Sequence, residues 1–145
     1  MTQAAITEFG SGSLLVSNGL VADDHDDAGG ASGGLSRGTA VSAGGVWMGV
    51  SELSVDAPSI RHHHDDQTTL VCVISGHMTF MVQPPDGGPE EEFTAGPGEI
   101  AVIPGGLVHR ELNPGDVPCV SVVVRNSETP TVVNLPVDDA AAGDA

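Results

Sequence analysis

The stretch GEIAVIPGGLVHRELN, from Gly98 to Asn113, decides the fold because its turn residues and its one histidine stand at fixed spacings. Between its ends, Pro104, Gly106 and His109 complete the pattern G-x5-P-x-G-x2-H-x3-N. Glycine and proline at these points break the chain into turns, and the apolar residues between them favour short strands. The stretch therefore predicts a strand, a tight turn and a second strand that carries the histidine.

A run of histidines lies upstream, in the stretch RHHHDDQTT from Arg61 to Thr69. Alternate residues of a strand project from the same face, so His62 and His64 can point at one ion while His63 points away. Neutral imidazoles are common ligands of transition metals, and His109 from a neighbouring strand would supply a third. Three such ligands leave other coordination positions open, as a reaction requires.

Together the two segments resemble the paired motifs of the cupin superfamily, G-x5-H-x-H-x3-4-E-x6-G followed by G-x5-P-x-G-x2-H-x3-N. The second motif is complete, and His62, His64 and Gly76 fit the first. The resemblance implies an all-β fold, the double-stranded β-helix or jelly-roll barrel, with one divalent transition metal held by His62, His64 and His109. It extends over residues 46–133 and is greatest to small single-domain bacterial cupins, most of which have no assigned reaction.

The glutamate of the first motif is missing, because the corresponding positions are Thr68 and Thr69. The resemblance therefore implies a three-histidine site, like those of the thiol and diketone dioxygenases. Asp66 or Gln67 could supply an accessory oxygen ligand if the strand continues past His64. Without the glutamate, a divalent ion keeps its full charge, which favours an anionic or chelating substrate.

These residues favour a metal-dependent enzyme acting on a small organic molecule, first a dioxygenase and second a non-redox cyclase or isomerase. Iron is the favoured metal, with zinc, nickel, manganese or copper as alternatives. The chain has no tyrosine, no lysine and no evident buried carboxylate for general acid–base catalysis, so metal-centred chemistry is favoured. No further catalytic residue is assigned. A cupin that binds a small ligand or a metal without turnover, or one with a vestigial site, stays an open alternative.

The composition agrees with a small all-β domain. Its 145 residues suit a single core, and 20 glycines and 10 prolines indicate frequent turns. Strands are predicted over residues 46–55, 60–65, 69–75, 77–83, 93–95, 100–103, 108–112, 118–125 and 131–135. Four arginines against 20 acidic residues give a formal net charge of −16, which disfavours binding to nucleic acid and to anionic membranes.

Three regions follow from the pattern. Residues 1–45 are predicted to hold a first strand within 13–21 and a flexible, acidic and Gly-rich loop over 22–38, which is either a solvated tether or a lid. Residues 46–135 are the predicted barrel, and 136–145 are a predicted disordered acidic tail.

Several residues near the motifs are predicted to be structural. Arg61 and Arg110 adjoin the candidate metal histidines, so strand alternation assigns them to the outer face. His63 is interpreted as an outward strand residue and His77 as a residue of the hairpin. His25 lies between aspartates in the predicted loop and is expected to be exposed and idle.

The last expectations concern thiols, location and assembly. Cys72 and Cys119 lie in apolar runs without C-x-x-C spacing and are predicted to be buried free thiols. The N-terminal residues show no basic region followed by an apolar core, so the protein is predicted to be cytoplasmic. Exposed sheet edges need covering, which predicts a homodimer.

Overall fold

The computed structural model describes residues 5–17, 33–55 and 58–136. These residues form strands and turns only. The strands are β1 (Ala5–Glu8), β2 (Leu14–Ser17), β3 (Leu35–Ala43), β4 (Val46–Leu53), β5 (His62–His63), β6 (Thr69–Ser75), β7 (Met78–Val82), β8 (Glu91–Ala95), β9 (Ile100–Ile103), β10 (His109–Leu112), β11 (Cys119–Arg125) and β12 (Val133–Asn134). Over the same ranges, no helix has the length and apolarity needed to cross a lipid bilayer.

Ten of the strands form two five-stranded sheets, and every pairing within them is antiparallel. One sheet has the order β12-β5-β10-β7-β8 and the other the order β3-β4-β11-β6-β9. Strands β1 and β2 make a separate antiparallel pair. The order runs back and forth between distant strands, as in a double-stranded β-helix, and the predicted all-β jelly roll is confirmed.

The core lies between the two sheets because alternate residues of each strand point inward. In β11, for example, every second residue from Cys119 to Arg125 is buried and the residues between them are partly exposed. The apolar core residues are Leu35, Leu53, Val71, Val73, Met78, Phe80, Val82, Ala95, Ala101, Ile103 and Cys119. Trp47 is only 1% exposed, and its Nε1–H donates to Thr39 Oγ1 at 3.0 Å.

The motif residues of the 98–113 stretch fix its turns. Gly98 and Gly106 have φ angles of 84° and 76°, in the left-handed region that a residue with Cβ adopts at a cost. The side-chain amide of Asn113 donates to the carbonyl oxygens of Leu53 and Val117 at 3.1 and 2.7 Å. This stretch therefore sets the direction in which β10 enters the barrel with its histidine.

The structure corrects three details of the predicted strands. The end of the predicted 22–38 loop is strand, because β3 begins at Leu35 and pairs with β4, so the barrel starts before residue 46. Glycines and polar residues in this segment hide its alternation. Strand β1 was not predicted at all. The predicted strand over 60–65 is only β5, because a turn follows it in which the Gln67 N–H donates to the His64 carbonyl. Residues 18–32, including His25, and the tail from 137 lie outside the described residues.

Candidate metal centre

Three buried histidines meet inside the barrel. His62 lies on β5, directly across from His109 on β10, and His64 follows β5 by one residue. Their exposed fractions are 0, 2 and 4% for His62, His109 and His64. One ring nitrogen from each lies within 4.8 Å of those from the other two. The structure thus brings together the three side chains that the sequence singled out as candidate metal ligands.

Each imidazole is oriented by a backbone carbonyl behind it. The Nδ1–H groups of His62, His64 and His109 donate to the carbonyl oxygens of Ile60, Thr131 and Leu107, at 2.5, 2.8 and 2.8 Å. A carbonyl oxygen only accepts, so Nδ1 carries the proton and each neutral ring keeps its lone pair on Nε2. Histidines that bind metals are held by contacts of this kind.

Glu111 brings a carboxylate to the same cluster. It follows His109 by two residues on β10 and therefore points inward with it. Its Oε1 lies 3.2 Å from His109 Nε2 and 3.7 Å from His62 Nε2. Its Oε2 accepts a hydrogen bond from Ser59 Oγ at 2.5 Å, and the Glu111 N–H donates to the same hydroxyl.

The prediction that no buried carboxylate was available is therefore wrong. Glu111 is only 4% exposed and stands at the site. The signal was present in the sequence, because His109 and Glu111 are two residues apart on one strand, as His62 and His64 are. The same alternation argument applied to both pairs would have found it.

The surroundings keep most of these donors in the unprotonated forms that a metal binds. Burial and then the charge of Arg125 lower the pKa of His64 to about 2, and burial lowers the pKa of His62. Burial also opposes the charged form of His109, but the Glu111 carboxylate outweighs it and raises the His109 pKa. Burial would raise the pKa of Glu111, yet its two histidine neighbours lower it below the ordinary value.

The proposed accessory ligands are not brought to the cluster. Asp65 has a φ of 52° in the turn after His64, so the strand alternation that would have aimed Asp66 inward is broken, and Asp66 is exposed. The amide of Gln67 is used elsewhere, donating to the Thr129 carbonyl and accepting from the Thr131 N–H. Neither Asp66 nor Gln67 lines the cavity beside the histidines.

Other residues singled out in the sequence also lie away from this cavity. Arg61 Nη2 is 3.3 Å from Glu90 Oε2, and the Nδ1 of His63 accepts from the Asp65 N–H at 3.1 Å. His77 lies against Gly96. Cys72 and Cys119 are free thiols; Cys119 is buried, which raises its pKa to about 11, whereas Cys72 is half-buried.

The histidine cluster borders a small cavity of about 20 Å³, room for one water molecule or one group of similar size. Two arginines from the opposite sheet, Arg37 and Arg125, line it together with His64, His109 and Glu111. They are 1% and 3% exposed, and the sequence predictions did not include them. A larger cleft elsewhere is lined only by Gln, Pro, Gly, Leu and Val, and so offers no ionisable group.

Comparison with known proteins places the fold in a family. A model of the cupin domain matches residues 49–125, slightly more than half of the chain. The chain belongs to the cupin family. The matched segment contains both histidine motifs and Arg125, whereas Arg37 lies before it.

Among its relatives, this cupin is 33% identical over 96 residues to Germin-like protein 4-1 of Oryza sativa subsp. japonica, covering 61% of this chain and 38% of that protein. An oxalate oxidase structure shares 23% identity and a TM-score of 0.57 over 68% of this chain and 56% of that one. The oxalate decarboxylase of Bacillus subtilis shares 18% identity and a TM-score of 0.65 over 86% and 35%. The chain thus spans about half or less of these relatives, and the structural likeness concerns the fold.

Proposed function

We propose that this cupin is a metal-dependent enzyme that binds one divalent transition metal through His62, His64 and His109, with Glu111 as a fourth donor, and acts on a small anionic molecule. The observation that carries the proposal is the orientation of the three imidazoles. All three Nδ1 atoms are committed to backbone carbonyls, which leaves three Nε2 lone pairs at one point inside the barrel.

The donor set suits a first-row metal. Three imidazoles and one carboxylate accept iron, manganese, zinc, nickel or copper, so the ligands alone do not select among them. Iron is our first candidate. Manganese is the second, because the related oxalate decarboxylase of Bacillus subtilis has Mn(II) centres. A metal bound here would supply Lewis acidity and, if redox-active, electron transfer to the substrate.

For the reaction, we favour oxygen-dependent oxidation, a dioxygenase. Apart from the histidines and Glu111, the ionisable side chains that line the cavity are arginines, which do not exchange protons readily near neutral pH. In the metal-bound enzyme, the histidines and Glu111 would be occupied as ligands. The protein itself would then orient the substrate and keep water out, while the reactive centre remains the metal.

One observation favours a second candidate, a non-redox cyclase or isomerase. Glu111 is a buried carboxylate whose Oε2 is already held by Ser59 while Oε1 faces the histidines. A carboxylate that leaves the metal could accept a proton from a substrate carbon or hydroxyl. That step would need no oxidant, so the two candidates differ in whether dioxygen is consumed.

Elemental analysis tests the proposal directly. The protein is purified without a metal-affinity tag, beside a variant in which His62, His64 and His109 are all replaced by alanine. We expect about one metal per chain in the wild type and none in the variant. Iron or manganese with stoichiometric oxygen uptake on small carboxylates, diketones, thiols or catechols would support the dioxygenase. Zinc or nickel without uptake would support the second candidate, and absence of metal from both proteins would overturn the proposal.

We also propose a homodimer formed through the outer face of β6 and β9. Ile74, Ile100 and Val102 project from that face and are 57, 60 and 58% exposed. Adjacent exposed aliphatic side chains at the edge of a sheet, here on the edge strand β9 and its neighbour β6, typically mark a contact surface. Sedimentation of wild type and Ile100→Glu tests it, with a dimer expected for the former and a monomer for the latter. The cytoplasmic location stays a prediction.

A further inference from the structure

The wall of the barrel that faces the histidines is itself polar. On the second sheet, Arg37 on β3 pairs across the strands with Ser51 on β4, and Ser51 with Ser121 on β11. The two serine hydroxyls share a hydrogen bond of 2.6 Å. Arg125, further along β11, pairs across with Thr69 on β6. Buried polar side chains are costly unless they have partners, so a row of them on an inner face needs a reason.

Arg125 is the member of this row whose donors are incompletely used. Its Nε–H donates to Thr69 Oγ1 at 3.0 Å, and its guanidinium lies over the Trp47 ring, with Cζ 5.4 Å from the ring centroid. Its Nη1 is buried and has no hydrogen-bond partner among the described residues. Thr69 and Trp47 thus hold the guanidinium at one edge and on one face. The hydrogens of Nη1 are left available to donate to a bound molecule.

The charged side chains that line the cavity also favour an anion, because positive groups outnumber negative ones. Two guanidiniums line it, and the one carboxylate that lines it, Glu111, is engaged by His109 and Ser59. Burial and then the nearby positive charge of Arg37 lower the pKa of Arg125 to about 9, which still leaves Arg125 positive at neutral pH. Like charges in a buried cavity repel more strongly than in water, and an anion between them would offset that repulsion.

We propose that Arg125, together with Arg37, binds the carboxylate of a small substrate inside the barrel. The identification of this anion as the substrate rests on the proposed function. Because Arg125 Nη1 has no partner among the described residues, it can donate a charge-assisted hydrogen bond to a carboxylate oxygen, and the positive charge of Arg37 adds to the attraction. The cavity is small, about 20 Å³, which favours a carboxylate over the bulkier phosphate. His64, His109 and Glu111 border the same cavity. The rest of a substrate whose carboxylate is bound there would therefore lie beside the proposed metal ligands.

Calorimetric titration with sodium acetate tests the site, at constant ionic strength set by sodium chloride. The matched variants are Arg125→Met and Arg61→Met, because Arg61 is buried to a similar degree but pairs with Glu90 outside the cavity. We expect Arg125→Met to bind acetate between about tenfold and a hundredfold more weakly than wild type, as for loss of a charged hydrogen bond. Arg61→Met should bind it as wild type does. Unchanged acetate binding in folded Arg125→Met would overturn the proposal.

Three further arms keep the result decisive. Arg125→Lys retains the charge but loses the planar guanidinium that Thr69 and Trp47 orient, so it should weaken acetate binding at least threefold even if Arg125→Met does not fold. Wild-type affinity in this variant would count against the site. Acetate should bind more tightly than inorganic phosphate, and the reverse order would overturn the carboxylate assignment. Metal-free wild type, prepared by chelation, should still bind acetate in a manner that depends on Arg125. That arm separates failure of the anion site from failure of the metal proposal.

Discussion

The two inner walls of the barrel are prepared for opposite charges by different means. The histidine wall comprises His62, His64, His109 and Glu111, and backbone carbonyls fix each imidazole from behind. The arginine wall comprises Arg37, Ser51, Thr69 and Arg125, and there a side-chain hydroxyl and an aromatic ring fix Arg125. The first wall presents lone pairs and a carboxylate, which bind cations. The second presents N–H donors, which bind anions.

This contrast indicates where each wall should tolerate change. Backbone carbonyls cannot be removed by substitution, so the histidine wall is sensitive chiefly at the ligands themselves. In the arginine wall, side chains orient other side chains. Substitutions there should therefore change anion affinity by smaller and graded amounts. Metal content and anion affinity report on the two walls separately.

The largest effect is expected at a ligand histidine. Replacement of His64 by alanine should lower metal affinity more than about a hundredfold, because loss of a group that only orients a ligand already costs ten- to a hundredfold. His63→Ala is the matched control, since His63 is half-buried and contacts Asp65 outside the cavity. Metal competition with a chromogenic chelator measures both. Equal losses of metal affinity in the two variants would contradict the assignment of His64, and not His63, as a metal ligand.

Glu111→Gln tests whether the carboxylate belongs to the metal site. The amide keeps the shape and can still bond to Ser59, but it has no charge to offer a cation. Metal affinity should fall between about tenfold and a hundredfold. Glu90→Gln removes an equal charge from the ion pair with Arg61 and should leave metal affinity unchanged. Wild-type affinity in Glu111→Gln would mean that three histidines alone hold the metal.

The pH dependence of metal binding should reflect the loss of one proton, from His109. The lowered pKa values of His62 and His64 keep these rings neutral at neutral pH, whereas the raised pKa of His109 lets a proton compete with the metal there. Affinity should therefore be level above the His109 pKa and fall about tenfold per pH unit below it. Chelator competition between pH 5 and 8 gives the slope. A fall of two or three logarithmic units per pH unit would show that His62 or His64 is also protonated.

The clustering of His62, His64 and His109 and most of the barrel strands were predictable because they follow local rules. Strands β6 and β9 coincide with the predicted ranges, since their apolar runs end at glycine or proline. Arg37 and Arg125 could not be assigned from the sequence, because their inward direction depends on which sheet covers them. Arg125 ends a strand whose all-valine face is the outer one, so hydrophobicity alone would have placed the arginine face outside, and only pairing with β4 and β6 decides which face is inside. Glu111 was missed although its spacing from His109 was informative.

The smallest effect is expected at Thr69. This residue stands at one of the two positions where the cupin motif has glutamate, and in this chain it contacts Arg125 in the arginine wall. Its hydroxyl accepts from Arg125 Nε, and valine would keep the volume while removing that acceptor. Acetate affinity should fall about threefold to tenfold, the effect of one hydrogen bond, with metal content unchanged. Thr68→Val is the matched control, because the Thr68 side chain does not line the cavity. Loss of metal rather than of acetate binding in Thr69→Val would instead assign this position to the histidine wall, as in the family motif.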